Sequence, residues 1–224
     1  MQRNMLPGWR EVVVWDLPTR LFHWLTVGLV AVLYVTERLN WMDWHIWAGE
    51  VLLALVLFRL IWGVLGSETA RFSHFIASPF ATLRHLKHLS HREPDTGIGH
   101  NAAGGWMVLL LIALLLVQCL SGIYVNNDVA NEGYWTEIVP APVANAISDA
   151  HVWVWDILCV AMSLHVLAIA IYTFGKRHNL VLPMVTGRKR LPETLAAPRI
   201  SGRWRVAVAG VIALVVMVTI SIYL

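Results

Sequence analysis

Two histidines, His151 and His165, stand in one apolar run, AHVWVWDILCVAMSLHVLAIAIYTF, from Ala150 to Phe174. The run is long enough to cross a bilayer as a helix. Fourteen positions separate the pair. At about 100° per residue, both imidazoles leave the same helix face, about 21 Å apart along its axis. One ring then lies near a membrane boundary and the other deep. An imidazole in hydrocarbon requires a partner. An iron porphyrin, ligated on each side by one nitrogen, fits paired deep histidines in a helical bundle. Two such groups stacked across the membrane require two further helices that each supply a histidine at matching depth.

Candidates for those partners follow from depth. His23 lies one to two turns inside the first apolar run, with Arg20 one turn before it. His23 reads as a haem ligand or as an interfacial histidine bonded to a carbonyl, and Arg20 is close enough to pair with a propionate. His45 opens the second run inside a belt of Trp41, Trp44 and Trp47, and His151 lies beside Trp153 and Trp155. Tryptophans mark the membrane boundary, so His45 and His151 share the outer level, while His23 meets His165 at the inner level. Gly28, Ala48 and Gly49, one turn beyond these histidines, leave room for a porphyrin plane or serve helix contact. Arg59 lies about 21 Å along the second helix from His45, at the inner level, where it pairs with a propionate or snorkels to lipid phosphate. His100, at the inner boundary of the third run, could bond a propionate or a quinone carbonyl, but its helix has no second histidine at outer depth. His100, His74 and Arg59 are the inner-side candidates for a quinone pocket. No residue is assigned as catalytic.

The elements that must hold these residues are helices. The chain has 224 residues, 58% hydrophobic and only 14% charged, with a mean hydropathy of +0.62, which excludes an ordinary soluble domain. Apolar runs cover Leu17–Thr36, Trp44–Gly66, Ala103–Val125, Ala150–Phe174 and Trp204–Leu224. Barrel strands would be about half this length and polar at alternate positions. The expected fold is therefore an all-α integral membrane bundle, with a four-helix, two-haem core plus a fifth transmembrane helix. Asp16 is placed to cap a first helix that begins near Pro18.

Lysines and arginines crowd the amino-terminal segment, the second loop and the segment after the fourth run, whereas the other side carries Arg38 with Glu37, Asp43, Asp128, Glu132, Glu137 and Asp149. This asymmetry puts the amino terminus in the cytoplasm and, with five spans, Leu224 outside. The net charge of +3 follows from topology and is no nucleic-acid signal. The first run lacks a small-residue cleavage site and reads as a retained anchor. Cys119 and Cys159 lie within helices as packing residues, and the absence of C-x-x-C-H excludes covalent haem attachment. The run RHLKHLSH, with His85, His88 and His91, reads as a basic amphipathic segment on anionic lipid, with a surface zinc site as its alternative. The acidic loop Asn126–Asp149 could dock an extracytoplasmic redox partner.

DLPTRLFHW, WHIWAGE followed by FRLIWG, RFSHF, GHNAAGGWM, the His151–His165 spacing and KRHNLVLPMVTGRKR together resemble the prokaryotic cytochrome b561 family, in particular its branch of cytochrome b subunits of nickel-iron hydrogenases. The resemblance covers Val12 to Pro192 and divides the chain into a core, residues 1–192, and a linker with an additional helix, residues 193–224. It implies a bacterial inner-membrane cytochrome with two haems b, His23 with His165 on one and His45 with His151 on the other. Such proteins pass electrons between the quinone pool and a redox protein such as a cytochrome c, alone or in a homo- or hetero-oligomer. One rival within the resemblance is a superoxide-oxidising quinone reductase, which an acidic outer side with a single arginine would serve poorly. A rival from another class is a histidine-lined metal or proton transporter. Against that rival, the membrane histidines fall in two depth-matched pairs and no chain of intramembrane carboxylates is present.

Overall fold

A computed structural model of the chain describes residues 8–78, 80, 82, 96–125 and 139–222. The run RHLKHLSH and the acidic residues Asp128, Glu132 and Glu137 lie outside these. Helix α1 spans Leu17–Arg38 and α2 Met42–Leu65, joined by a tight turn in which Asn40 takes a positive φ of 56°. A short helix α3 (Phe72–Phe75) precedes α4 (Ala102–Gly122) and α5 (Ala141–Ala170), and α5 ends in a π turn at Ile171–Gly175. Then follow α6 (Val181–Thr186) and α7 (Arg203–Ile222). Among the described residues, four helices are long and apolar enough to cross a membrane: α1, α2, α4 and α5 with its π turn. The chain is thus a helical membrane bundle. The fifth apolar run is helical too, and it packs along α2.

Helix α1 packs on α2, α2 on α4, and α4 on α5. Leu52, Val56, Ile112, Leu115 and Leu158 form the shared core, with Leu29, Leu33, Trp155 and Met162 around it. Lipid is as apolar as leucine, so close packing rather than exclusion of water holds these helices together. The α1–α5 side is different. Its backbones make few close approaches, and long side chains bridge it: the stacked rings of Tyr34 and Trp155, 6.0 Å apart, and those of His23 and His165.

Helix α5 begins at Ala141, so residues expected in an outer loop, Ala141–Asp149, are helical instead. Pro140 and Pro142 invite the loop reading, yet proline suits a first helical turn, where its missing N–H would find no intrahelical acceptor. Thirty residues make a helix of about 45 Å, so α5 extends past a hydrocarbon core of about 30 Å.

At the His23 and His165 end, a two-stranded antiparallel sheet, which the sequence patterns do not announce, joins β1 (Trp9–Val13) to β2 (Arg188–Pro192). Val12, Val14, Trp15 and Leu191 are buried beneath it. Gly187 makes the turn into β2 with φ at +82°, where a side chain would be strained. Its carbonyl accepts the Val14 and Trp15 N–H groups at 2.8 and 3.1 Å. The linker to α7 is pinned as well: Arg199 and Glu68 exchange two hydrogen bonds, N–H to carbonyl at 3.0 Å and N–H to Oε2 at 2.9 Å. The Ser201 N–H donates to Ser67 Oγ at 2.8 Å.

Candidate functional site

Asp16 starts the site. Its Oδ1 accepts the Thr19 N–H at 2.9 Å, capping α1, and its Oδ2 accepts the Trp62 indole N–H at 3.0 Å. The cap therefore also fixes α1 against the end of α2. One to two turns on, His23 points toward His165 of α5, and their ring centroids are 6.5 Å apart. One metal held between two imidazoles, with bonds of about 2 Å and each centroid about 1.1 Å behind its nitrogen, would set them about 6.3 Å apart. The observed separation fits one axially ligated iron.

Buried polar atoms without a hydrogen-bond partner gather at this end: His23 Nδ1, Arg20 Nε, Arg59 Nη1, Arg71 Nε and His100 Nδ1. Three of them belong to guanidinium groups, which buried proteins pair with anions, so the donor set suits the carboxylates of a haem. Arg59 is only 2% exposed, and its guanidinium lies 5.0 Å from the centre of the Phe72 ring. It does not snorkel to lipid; the helix end and α3 enclose it. Arg20 spends one donor differently, giving an Nη1 hydrogen to the Val185 carbonyl at 2.6 Å. The Trp24 indole likewise donates to Met184 O at 3.2 Å, so α1 is tied to α6 beside His23.

His100 sits outside the spans, wedged between Trp15 and Phe75 with ring centroids 4.6 and 4.7 Å away. Its side chain is partly buried, and its Nδ1 is fully covered. Burial first, then the charge of Arg59 and the proximity of His165, push its pKa down to about 3. It is a neutral imidazole at pH 7. A cleft of about 340 Å³ opens above it, between His74, Phe75 and the linker at Arg199, with Glu68 at its rim. There His74 Nδ1 stands 3.7 Å from Glu68 Oε1. The Arg199 N–H, above all, holds the Glu68 carboxyl below the usual carboxylate range.

At the opposite end, His45 Nδ1 donates to the Leu33 carbonyl at 3.0 Å. That bond fixes the tautomer and leaves Nε2 with its lone pair, the form metal ligation needs. His151 of α5 lies against the last turn of α4. Its ring is held by α4: Nδ1 is 2.9 Å from Ser121 Oγ, and Nε2 is 3.0 Å from the Gln118 amide nitrogen. Sequence reasoning looked on α4 for a histidine and passed over these residues. The available signal was two polar side chains, Gln118 and Ser121, one turn apart in an otherwise apolar span. Gly28 has no atom within 4 Å of a notional Cβ, and Gly49 only Leu33 Cδ2 at 4.0 Å, so neither glycine serves tight helix contact.

The sequence profile of the prokaryotic cytochrome b561 family matches residues 14–187. The chain belongs to the prokaryotic cytochrome b561 family. It is thus a membrane b-type cytochrome, a class that binds haem b and transfers electrons. It is also 21% identical over 216 residues to a protein of Rhizobium leguminosarum bv. viciae named "Probable Ni/Fe-hydrogenase B-type cytochrome subunit", covering 80% of this chain and 89% of that one. No solved structure matches.

Proposed function

We propose that this cytochrome carries two haems b and passes electrons across a bacterial inner membrane, between the quinone pool and a redox protein on the outer side. The observation that carries the reading is the 6.5 Å separation of the His23 and His165 rings. In this reading His23 and His165 hold the inner haem, His45 and His151 the outer one. Arg59, with support from Arg20 and Arg71, neutralises the inner carboxylates. When bound, haem b supplies one-electron oxidation and reduction, and two imidazoles on one iron leave no position open for oxygen.

The remaining work falls to the chain. The fourteen residues from His45 to Arg59, like those from His151 to His165, set the two levels about 21 Å apart and so span most of the hydrocarbon. Quinone chemistry also exchanges protons. The cleft over His100, with its Glu68 and His74 pair, offers groups that could take or give them at the inner end. The hydrogenase-subunit name of the relative favours a protein partner over a small-molecule donor. Helix α7 is read as a fifth span, with the amino terminus cytoplasmic, and residues 193–224 as an addition to the core. The test is haem content and reduced absorbance spectra of the purified chain and its His23, His45, His151 and His165 alanine variants. Two haems per chain, with one lost on changing either member of a pair, is the expected result. A chain without a Soret band, or a His165→Ala variant that keeps both haems, would overturn it.

A further inference from the structure

The last turn of α4 touches His151 through three successive features. Ser121 is buried, and its hydroxyl donates to the Gln118 carbonyl at 3.1 Å. Its oxygen therefore faces His151 Nδ1, 2.9 Å away, as an acceptor. The assignment with the proton on Nδ1 and with Nε2 accepting from the Gln118 amide, 3.0 Å away, satisfies all three contacts together. Next along, Gly122 leaves its face bare: a Cβ there would stand 3.1 Å from His151 Cε1. Any larger residue would push the ring aside. His45 is treated alike, its Nδ1 proton being held by the Leu33 carbonyl. Both histidines at this end thus keep Nδ1–H bonded within the protein and Nε2 as a lone pair. His23, by contrast, has a buried Nδ1 with no partner.

We infer that Ser121 is a positioning residue for the outer haem: it fixes the tautomer and plane of His151, so that Nε2 is presented to iron, while the Gln118 amide holds that lone pair until ligation displaces it. The inference rests on the reading of His151 as an axial ligand. Its physical content is that an Nδ1–H donating to oxygen makes Nε2 a stronger donor, which favours oxidised over reduced iron.

Ser121→Thr and Ser121→Val form the decisive comparison, because the two side chains have nearly the same volume and differ by the hydroxyl. Haem content and a potentiometric titration of the full chain in detergent are the readouts, with the inner haem as the internal check on folding. Ser121→Thr should match the parent. In Ser121→Val the outer haem should bind about 10-fold to 100-fold more weakly. Its reduced-to-oxidised ratio at fixed potential should rise about tenfold, equivalent to about 59 mV for one electron. The inner haem should be unchanged. Equal behaviour of the Thr and Val variants, whether both intact or both defective, would overturn the inference, because the hydroxyl would then have no role. If instead His151→Ala retains both haems, the ligand assignment itself fails, and that result is separate from anything Ser121 shows.

Discussion

Gly63→Ala would test how the inner site is built. A Cβ at this position would stand 2.0 Å from Phe72 Cε2 and 2.3 Å from Cζ. Carbon atoms pack at about 3.5 Å or more, so the ring would have to retreat by about 1.5 Å. It has little room, since its neighbours include Phe75, with ring centroids 5.7 Å apart, and the Arg59 guanidinium on its face. Overpacking of this kind costs about 1–3 kcal/mol, and loss of a desolvated cation–π contact adds about 0.5–2 kcal/mol. The sum, about 1.5–5 kcal/mol, falls on the end that holds His23 and His165. The His45 and His151 end, about 21 Å away along α2, should be spared. On the proposed two-haem reading, the assay is thermal loss of the two haem signals in detergent, followed by potentiometric titration. The inner signal should disappear at markedly lower temperature and the outer one should hold. Adding Phe72→Leu should recover part of the loss, with a coupling of about 1–2 kcal/mol between the two sites. A Gly63→Ala protein that matches the parent, or one that loses both haems together, would refute the packing argument. So would a double variant whose defects simply add.

Asp16→Ala removes both the α1 cap and the acceptor for the Trp62 indole. The expected cost is about 1 kcal/mol for the cap and about 1–3 kcal/mol for the stranded N–H, read as a lowered melting temperature. Asp16→Asn should lose less. His100 should show no titration between pH 5 and 8 in nitrogen-labelled spectra, since its pKa lies near 3. Its unfolded value is about 6.5, so the unfolded chain binds the extra proton first. Stability should therefore fall as the pH drops from about 6.5 toward 3, and His100→Phe should flatten that decline.

What the sequence revealed about the site was what helical periodicity carries locally. The spacing of His151 and His165, the places of His23 and His45 near the starts of α1 and α2 and the Asp16 cap each depend on a few neighbouring residues. The start of α5 was misplaced because prolines at 140 and 142 signal a loop and a first helical turn equally well. The fate of Arg59 turned on tertiary packing: only the position of Phe72 distinguishes burial from snorkelling. Gln118 and Ser121 escaped notice because neither could ligate iron, and their relation to His151 exists only once α4 lies against α5. The strands β1 and β2 were hidden for a similar reason, being short segments whose partners are remote in the chain.

That remoteness has a consequence for how the molecule is assembled. Trp9–Val13 pairs with Arg188–Pro192, so the first strand to be synthesised cannot find its mate until every helix from α1 to α6 has been made. Contacts between such distant residues come at a higher entropic cost of loop closure than local ones. During biosynthesis the first helix must enter the bilayer with this clasp undone, and the seam where α1 faces α5 can close only once α5 has been made.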